Sequence, residues 1–295
     1  MILVTGATGH IGSEVARRLA GRGQNVVAMV RDANAATARH RLPFSMPLRV
    51  ADYEDIRALR TAFEGVDVLV LISSDGAASA VRRHHANAIE AAAAAAVGHV
   101  VFTSILDTGE LSPFYFSSVY RDTERQLAHC GVPSTILACG LYSEFVLDNW
   151  LLPCAASGEL ALPAAYGQFS PISRADVAAA VAAIAARPGR FPEIGILTGD
   201  RLLDFDDICA IYSEASGRSL RYRLCSIEEY SAAASARLDE PWPHAFASLC
   251  ASIGHGHYNF TTSCFAAVAR RKPESFRDFL MRTISANLRD GIAKH

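Results

Sequence analysis

The chain has 295 residues, 51% hydrophobic and 20% charged, a balance that excludes a disordered tail, a collagen or a small disulfide scaffold and suits one large domain or a domain with a smaller second lobe. A formal charge of -2 and a pI near 6.5 give no broad basic field for phosphate backbones or anionic lipid, so neither a nucleic-acid nor a membrane partner is expected. Seven scattered cysteines without a CxxC pair, no apolar run long enough to span a bilayer and no basic leader ahead of Met1-Ile2-Leu3-Val4 together predict a cytoplasmic protein without a zinc knuckle.

In chain order, β-branched runs predict strands at Ile2 to Thr5, Asn25 to Val30, Leu48 to Ala51, Val68 to Ile72, His99 to Thr103 and Ser134 to Ala138. Helical patterns lie between them at His10 to Arg22, Glu54 to Glu64, Ala78 to Val97 and Val119 to Cys130, each long enough for a right-handed crossover. The expected fold class is α/β, a doubly wound parallel sheet. Past residue 140 turn signals stand at Ser157-Gly158, Pro163, Arg187-Pro188-Gly189 and Pro241-Trp242-Pro243. Helices are predicted there from Arg174 to Arg187 after Ser173, from Phe205 to Ser216 between Asp204 and Gly217, and from Pro273 to Leu288, with one more strand at Ile194 to Thr198. Residues 1–140 read as a dinucleotide-binding core. Residues 141–295 read as a smaller, mostly helical substrate lobe interleaved with it, the ligand lying in the crevice between them.

The strongest local signal is Gly6-Ala7-Thr8-Gly9-His10-Ile11-Gly12, which follows the first strand and opens the first helix. Gly6 permits the tight turn, Gly9 lets a pyrophosphate approach the backbone, and Gly12 lets helix and strand pack closely. About twenty residues on, where an acidic residue would meet the ribose hydroxyls of NAD, stands Arg31, whose guanidinium matches a 2′-phosphate; NADPH is the expected cofactor. Asp32 remains open as a ribose ligand if the strand ends one residue later. Three further strand ends face the same crevice: Asp52 as an acceptor for the adenine amino group, and the hydroxyls of Ser73, Ser74, Thr103 and Ser104 along the nicotinamide ribose. Each is also a residue type that ends strands and caps helices.

Assembled, these residues resemble the NmrA-like branch of the atypical short-chain dehydrogenases. The resemblance rests on Val4 to Gly12, Val30-Arg31, Ala51-Asp52-Tyr53, Leu71 to Ser74, His85-Ala86-Asn87-Ala88-Ile89 and Thr103-Ser104. It continues through Ser112-Pro113, Thr123-Glu124, Tyr142-Ser143-Glu144, Ser173 to Asp176, Gly199-Asp200, Ser226 to Tyr230 and Arg271-Lys272-Pro273. It implies a Rossmann core and either an NADPH-dependent reductase of quinones, dyes or related aromatics, or a dinucleotide-sensing regulator that turns nothing over. The sequence departs from the family at Tyr120, where relatives carry a histidine. It departs again at Ala138 and Cys139, where they carry Arg and Asn.

Tyrosine-dependent short-chain dehydrogenases use Tyr-x-x-x-Lys, and that pair is missing. Tyr115, Tyr120 and Tyr142 are followed four residues on by Val119, Glu124 and Val146, and Lys272 and Lys294 are the only lysines. This argues against a sugar-nucleotide epimerase. A quinone is a strong hydride acceptor and asks mainly for a ring held against nicotinamide. Tyr120 is the candidate proton donor or substrate-orienting hydroxyl, with Ser104 beside it as a second catalytic candidate. Phe114, Tyr115 and Phe116 on one side, and Tyr142, Phe145 and Trp150 on the other, are candidate walls for a flat substrate. The pairs His84-His85 and His255-x-His257 lack a carboxylate at ligand spacing and read as surface residues, so no metal is expected. The expected function is NADPH-dependent reduction of a quinone or extended aromatic carbonyl, with tailoring of an aromatic polyketide as a setting in which the reduced product reacts with oxygen, as in a monooxygenase component. A homodimer is an open expectation.

Overall fold

The computed structural model describes residues 1–34, 41–164 and 166–292. Seven parallel strands form the main sheet: β1 (Ile2–Val4), β2 (Val26–Val30), β3 (Leu48–Val50), β4 (Val68–Leu71), β5 (His99–Ile105), β6 (Ser134–Cys139) and β8 (Ile194–Leu197), in the order β3-β2-β1-β4-β5-β6-β8. The order reverses between β1 and β4, which opens a crevice at the carboxyl ends of those strands.

Strands buried on both faces must be apolar throughout, and the alternation of β1 shows why. Ile2 and Val4 join the core under α1 (His10–Ala20) and α6 (Arg174–Ala185), while Leu3 joins the core under α2 (Ile56–Phe63), α3 (Ala78–Ala94) and α4 (Ser117–His129). The alanines of α6 let it lie close along Val15 and Leu19 of α1. Side chains start the helices: Asp55 accepts from Arg57 N and Ala58 N at 2.9 and 3.0 Å, which begins α2 two residues after the predicted Glu54, and Ser173 caps α6 at the predicted boundary through Asp176 N at 3.1 Å. Asp204 and Asp207 form a capping box on α7 (Phe205–Ser216), which Gly217 ends at a φ of 68°.

The second half of the chain is divided. α6, β8 and α10 (Cys264–Ala269) complete the main sheet and its cover. A second core gathers around Trp150, Phe169 and Phe205. It is built from α5, a continuous helical stretch made of Ser143–Phe145, a π-helical Val146–Leu151 and Leu152–Cys154, together with α7, α8 (Ile227–Ser235), α9 (Trp242–Gly254) and α11 (Phe276–Ile292). A small parallel pair, β7 (Glu159–Leu162) with β9 (Arg221–Leu224), flanks it. The sequence pattern predicts no strands there. It also marks Pro241-Trp242-Pro243 as a turn, whereas α9 begins at Trp242, because prolines are tolerated in a first helical turn whose N–H groups have no intrahelical acceptor. No helix among the described residues is long and apolar enough to cross a membrane.

Candidate active site

The glycine loop leaves β1 with Gly6 at a φ of 56°, and Gly9 N donates to Gly6 O at 2.9 Å to close the turn. A Cβ on Gly12 would stand 2.3 Å from Gly6 O, so only glycine lets α1 start this close to the strand. Gly9 caps α1 without a side chain, and the first turn carries no acidic residue, which leaves its N–H groups open to an anion. Two cations sharpen that field. Arg41 Nη1 donates to Thr8 O at 2.9 Å, and burial, followed by the charges of Arg174 and Arg41, holds the pKa of His10 below the usual histidine value. A dinucleotide pyrophosphate fits these donors, and Ile11 carries the loop into the cavity described below.

Around the loop the other expected cofactor residues take distinct places. Arg31 is exposed at the end of β2 and makes no ion pair among the described residues, while Asp32 accepts from Asn34 N at 2.8 Å and turns the chain. Asp52 Oδ1 accepts from Glu54 N at 2.9 Å, a local turn, and the Tyr53 hydroxyl behind it lies 2.6 Å from Thr5 Oγ1 and 2.8 Å from Ile72 O. Ser74 meets His84 at 2.9 Å, and His84 stacks on Tyr53 and reaches Glu54. Hydrogen bonds from Arg83 and then His84 draw the Glu54 carboxyl down to about 2.

Ser73 N donates to Thr103 Oγ1 at 3.3 Å, and the Ser73 hydroxyl sits 2.7 Å from Tyr120 OH and 3.0 Å from His85 Nε2. His85, expected at the surface, is fully buried, with Nδ1 2.8 Å from Thr123 Oγ1. Adjacent helical residues point along different faces, and only one of the two histidines faces water. Burial pushes Tyr120 up to about 12, so its hydroxyl keeps its proton. Ser104 Oγ donates to Glu124 Oε1 at 2.5 Å; Glu124 stands four residues after Tyr120, where a tyrosine-dependent enzyme has its lysine.

Ser73, Thr103, Ser104 and Tyr120 form one side of a cavity of about 290 Å³ that begins at Ile11. Of the aromatics expected as walls, Phe114, Phe116, Tyr142 and Phe145 line it, joined by Trp242, Phe246 and Tyr258. Tyr115 does not line it: its hydroxyl accepts from Ala78 N at 3.2 Å, its N–H donates to Ser248 Oγ at 2.9 Å, and its ring packs edge-on to Phe116 and His244. Alternation along the loop turns Phe114 and Phe116 inward and Tyr115 away. Trp150 is likewise a core residue, 1% exposed, because the π-helical segment brings it onto the face of Phe145 five residues earlier, with ring centroids 5.3 Å apart.

The aromatic loop is pinned from below. Asp107, 3% exposed, accepts from Ser112 and Ser252 hydroxyls and from His257 Nδ1 at 3.0 Å, and Ser112 Oγ in turn accepts from Phe114 N at 3.0 Å. His257 is thus an anchor between the loop and the end of α9. Among the described residues no group of three or more His, Cys, Asp or Glu is gathered to hold a metal.

These features agree with what the chain resembles. Quinone oxidoreductase 2 of Escherichia coli (strain K12) is 34% identical over 236 residues, 79% of this chain and 80% of that protein. NAD(P)H azoreductase of Xenophilus azovorans is 30% identical over 232 residues, 78% of each. The solved structure of NADPH-dependent quinone oxidoreductase from Escherichia coli complexed with NADPH superposes with a TM-score of 0.84 at 29% identity, covering 98% of this chain and 100% of that one. The sequence pattern of the NmrA-like family matches residues 1–266, and with the glycine loop, the strand order and the aromatic cavity in place the chain belongs to the NmrA-like family.

Proposed function

We propose that this NAD(P)H-dependent oxidoreductase reduces a quinone or extended aromatic carbonyl at the expense of NADPH. The observation that carries the reading is the aromatic-walled cavity of about 290 Å³ that adjoins the glycine loop. A flat conjugated ring fits between such walls, and their apolar surface excludes water from the face where hydride arrives. NADPH, when bound, supplies that hydride. The α1 N-terminus, with Arg41 and Arg174 beside it, would hold the pyrophosphate, and Arg31 is assigned to the 2′-phosphate. Ser73, Ser74, Thr103 and Asp52 are assigned to the ribose and adenine positions along the strand ends.

No lysine lines the cavity, and Glu124 occupies the place of one. A quinone tolerates this, since its reduced form is an aromatic phenolate that takes its protons from water. Of the two roles open to Tyr120, orienting the substrate is therefore preferred to donating a proton. Phe114, Tyr142 and Phe145 are assigned to substrate contact.

The test is anaerobic oxidation of NADPH by the pure protein with naphthoquinones and anthraquinones, repeated in air. Acceptor-dependent oxidation without oxygen is expected. Aromatic polyketides fall in this class of acceptor, and their hydroquinones would return to quinones in air as oxygen becomes hydrogen peroxide, raising NADPH consumption. Tight NADPH binding with no turnover on any acceptor would overturn the enzyme reading in favour of a dinucleotide-sensing regulator.

A further inference from the structure

Groups outside the cavity decide which way the hydroxyls of its sheet-side wall point. The Thr123 hydroxyl donates to Val119 O at 2.8 Å, so it can only accept from His85 Nδ1, 2.8 Å away, and Nδ1 carries the ring proton. His85 is fully buried, and burial lowers its pKa to about 4; the ring is neutral and Nε2 is left as a bare acceptor.

The Ser73 hydroxyl, 3.0 Å from Nε2, is the donor that satisfies it. Turning that proton instead to the Ser74 carbonyl, also at 3.0 Å, would orphan a buried nitrogen. Having given its proton to His85, Ser73 accepts from Tyr120 at 2.7 Å, and Tyr120 presents only lone pairs to its surroundings. Ser104 reaches the same state by another route, its proton held by Glu124 at 2.5 Å. Two cavity-lining hydroxyls of different elements are thus both acceptors.

We infer that this wall selects substrates carrying a free hydroxyl donor on the ring system that bears the reducible carbonyl, that is, hydroxylated quinones, and that His85 and Glu124 are the positioning residues that impose the preference. The inference rests on the quinone-reductase reading for its substrate class. A wall built to accept a hydrogen bond leaves two oxygens unmatched when the ligand offers an ether, so it discriminates between analogues of nearly equal size.

The experiment compares 6-hydroxy-1,4-naphthoquinone with 6-methoxy-1,4-naphthoquinone. The hydroxyl compound is expected to have a kcat/KM about tenfold higher or more. Tyr120→Phe is expected to bring the ratio within about twofold, and His85→Phe to shrink it while His85→Gln, whose amide oxygen can take the Ser73 proton, restores part of it. A ratio near one in the unaltered protein overturns the inference. So does a rise in the NADPH dissociation constant of Tyr120→Phe with the ratio unchanged, since Tyr120 would then be serving a cofactor hydroxyl.

Two readouts stand apart from turnover. Nitrogen-15 spectra of histidine-labelled protein should show a neutral His85 protonated on Nδ1, and protonation on Nε2 would refute the assigned directions even if the variants fail to fold. If neither quinone is reduced, the reductase reading fails by itself. The dissociation constants of the two naphthoquinones from NADP-loaded protein still report the preference, and equal constants refute it.

Discussion

At the scale of single residues, the proposed choice of NADPH over NADH is tested at Arg31. Arg31→Asp is expected to raise the NADPH dissociation constant about tenfold or more and to leave that of NADH within about threefold, measured by quenching of protein fluorescence. Equal losses for the two cofactors would remove the 2′-phosphate assignment. The position of Arg31 after β2 was legible in the sequence, but that of Arg41 was not, because a contact with Thr8 O from 33 positions away leaves no mark in local spacing. His85 was hidden for the opposite reason: its sequence neighbourhood is polar, and its partners, Ser73 and Thr123, lie 12 and 38 positions away. Its burial also has a thermodynamic consequence. A histidine with a pKa of about 4 in the fold and 6.5 when unfolded takes up its proton more readily unfolded, so stability falls as pH drops from 6.5 toward 4. The loss from this group should reach about 3 kcal/mol, read as a falling urea midpoint, and His85→Phe should flatten that dependence.

At the scale of elements, the central strands were readable because both of their faces are buried, and a short unbroken apolar run between turn signals packs as little else. Helix ends with side-chain caps, Ser173 and Asp204, were readable for the same local reason. The cavity's far wall was not. Trp242 and Phe246 lie on a helix whose start carries two prolines, and the π-helical turn behind Phe145 breaks the 3.6-residue rhythm by which a helical face is recognised. Beside this aromatic packing, one buried carboxylate ties the loop to the end of α9. Asp107→Ala would leave the Ser112 and Ser252 hydroxyls and His257 without their acceptor and release the loop that carries Phe114 and Phe116. The expected result is a quinone KM raised about tenfold with the NADPH dissociation constant nearly unchanged; steady-state kinetics and equilibrium binding separate the two. A parallel rise in both would mean that Asp107 supports the fold as a whole.

At the scale of the whole molecule, the first 140 residues hold the cofactor loop but do not complete the fold around it. The face of α1 bearing Val15 and Leu19 is covered by α6, and the outer edge of β6 is paired with β8. A fragment of residues 1–140 should therefore expose that face and edge and show no cooperative thermal unfolding by circular dichroism, whereas the full chain should unfold with a sharp transition. A cooperative fragment would make the first half a self-sufficient domain.

The cavity lies across this division. Its sheet-side wall, Ile11 with Ser73 and Tyr120, comes from the first half, and Trp242, Phe246 and Tyr258 come from the last sixty residues. Trp242 and Phe246 are held by packing against other aromatics. Substitutions along α9 can consequently reshape one part of the wall while the glycine loop keeps its sequence, whereas Phe114 and Tyr120 tie the rest of the wall to the first half of the chain.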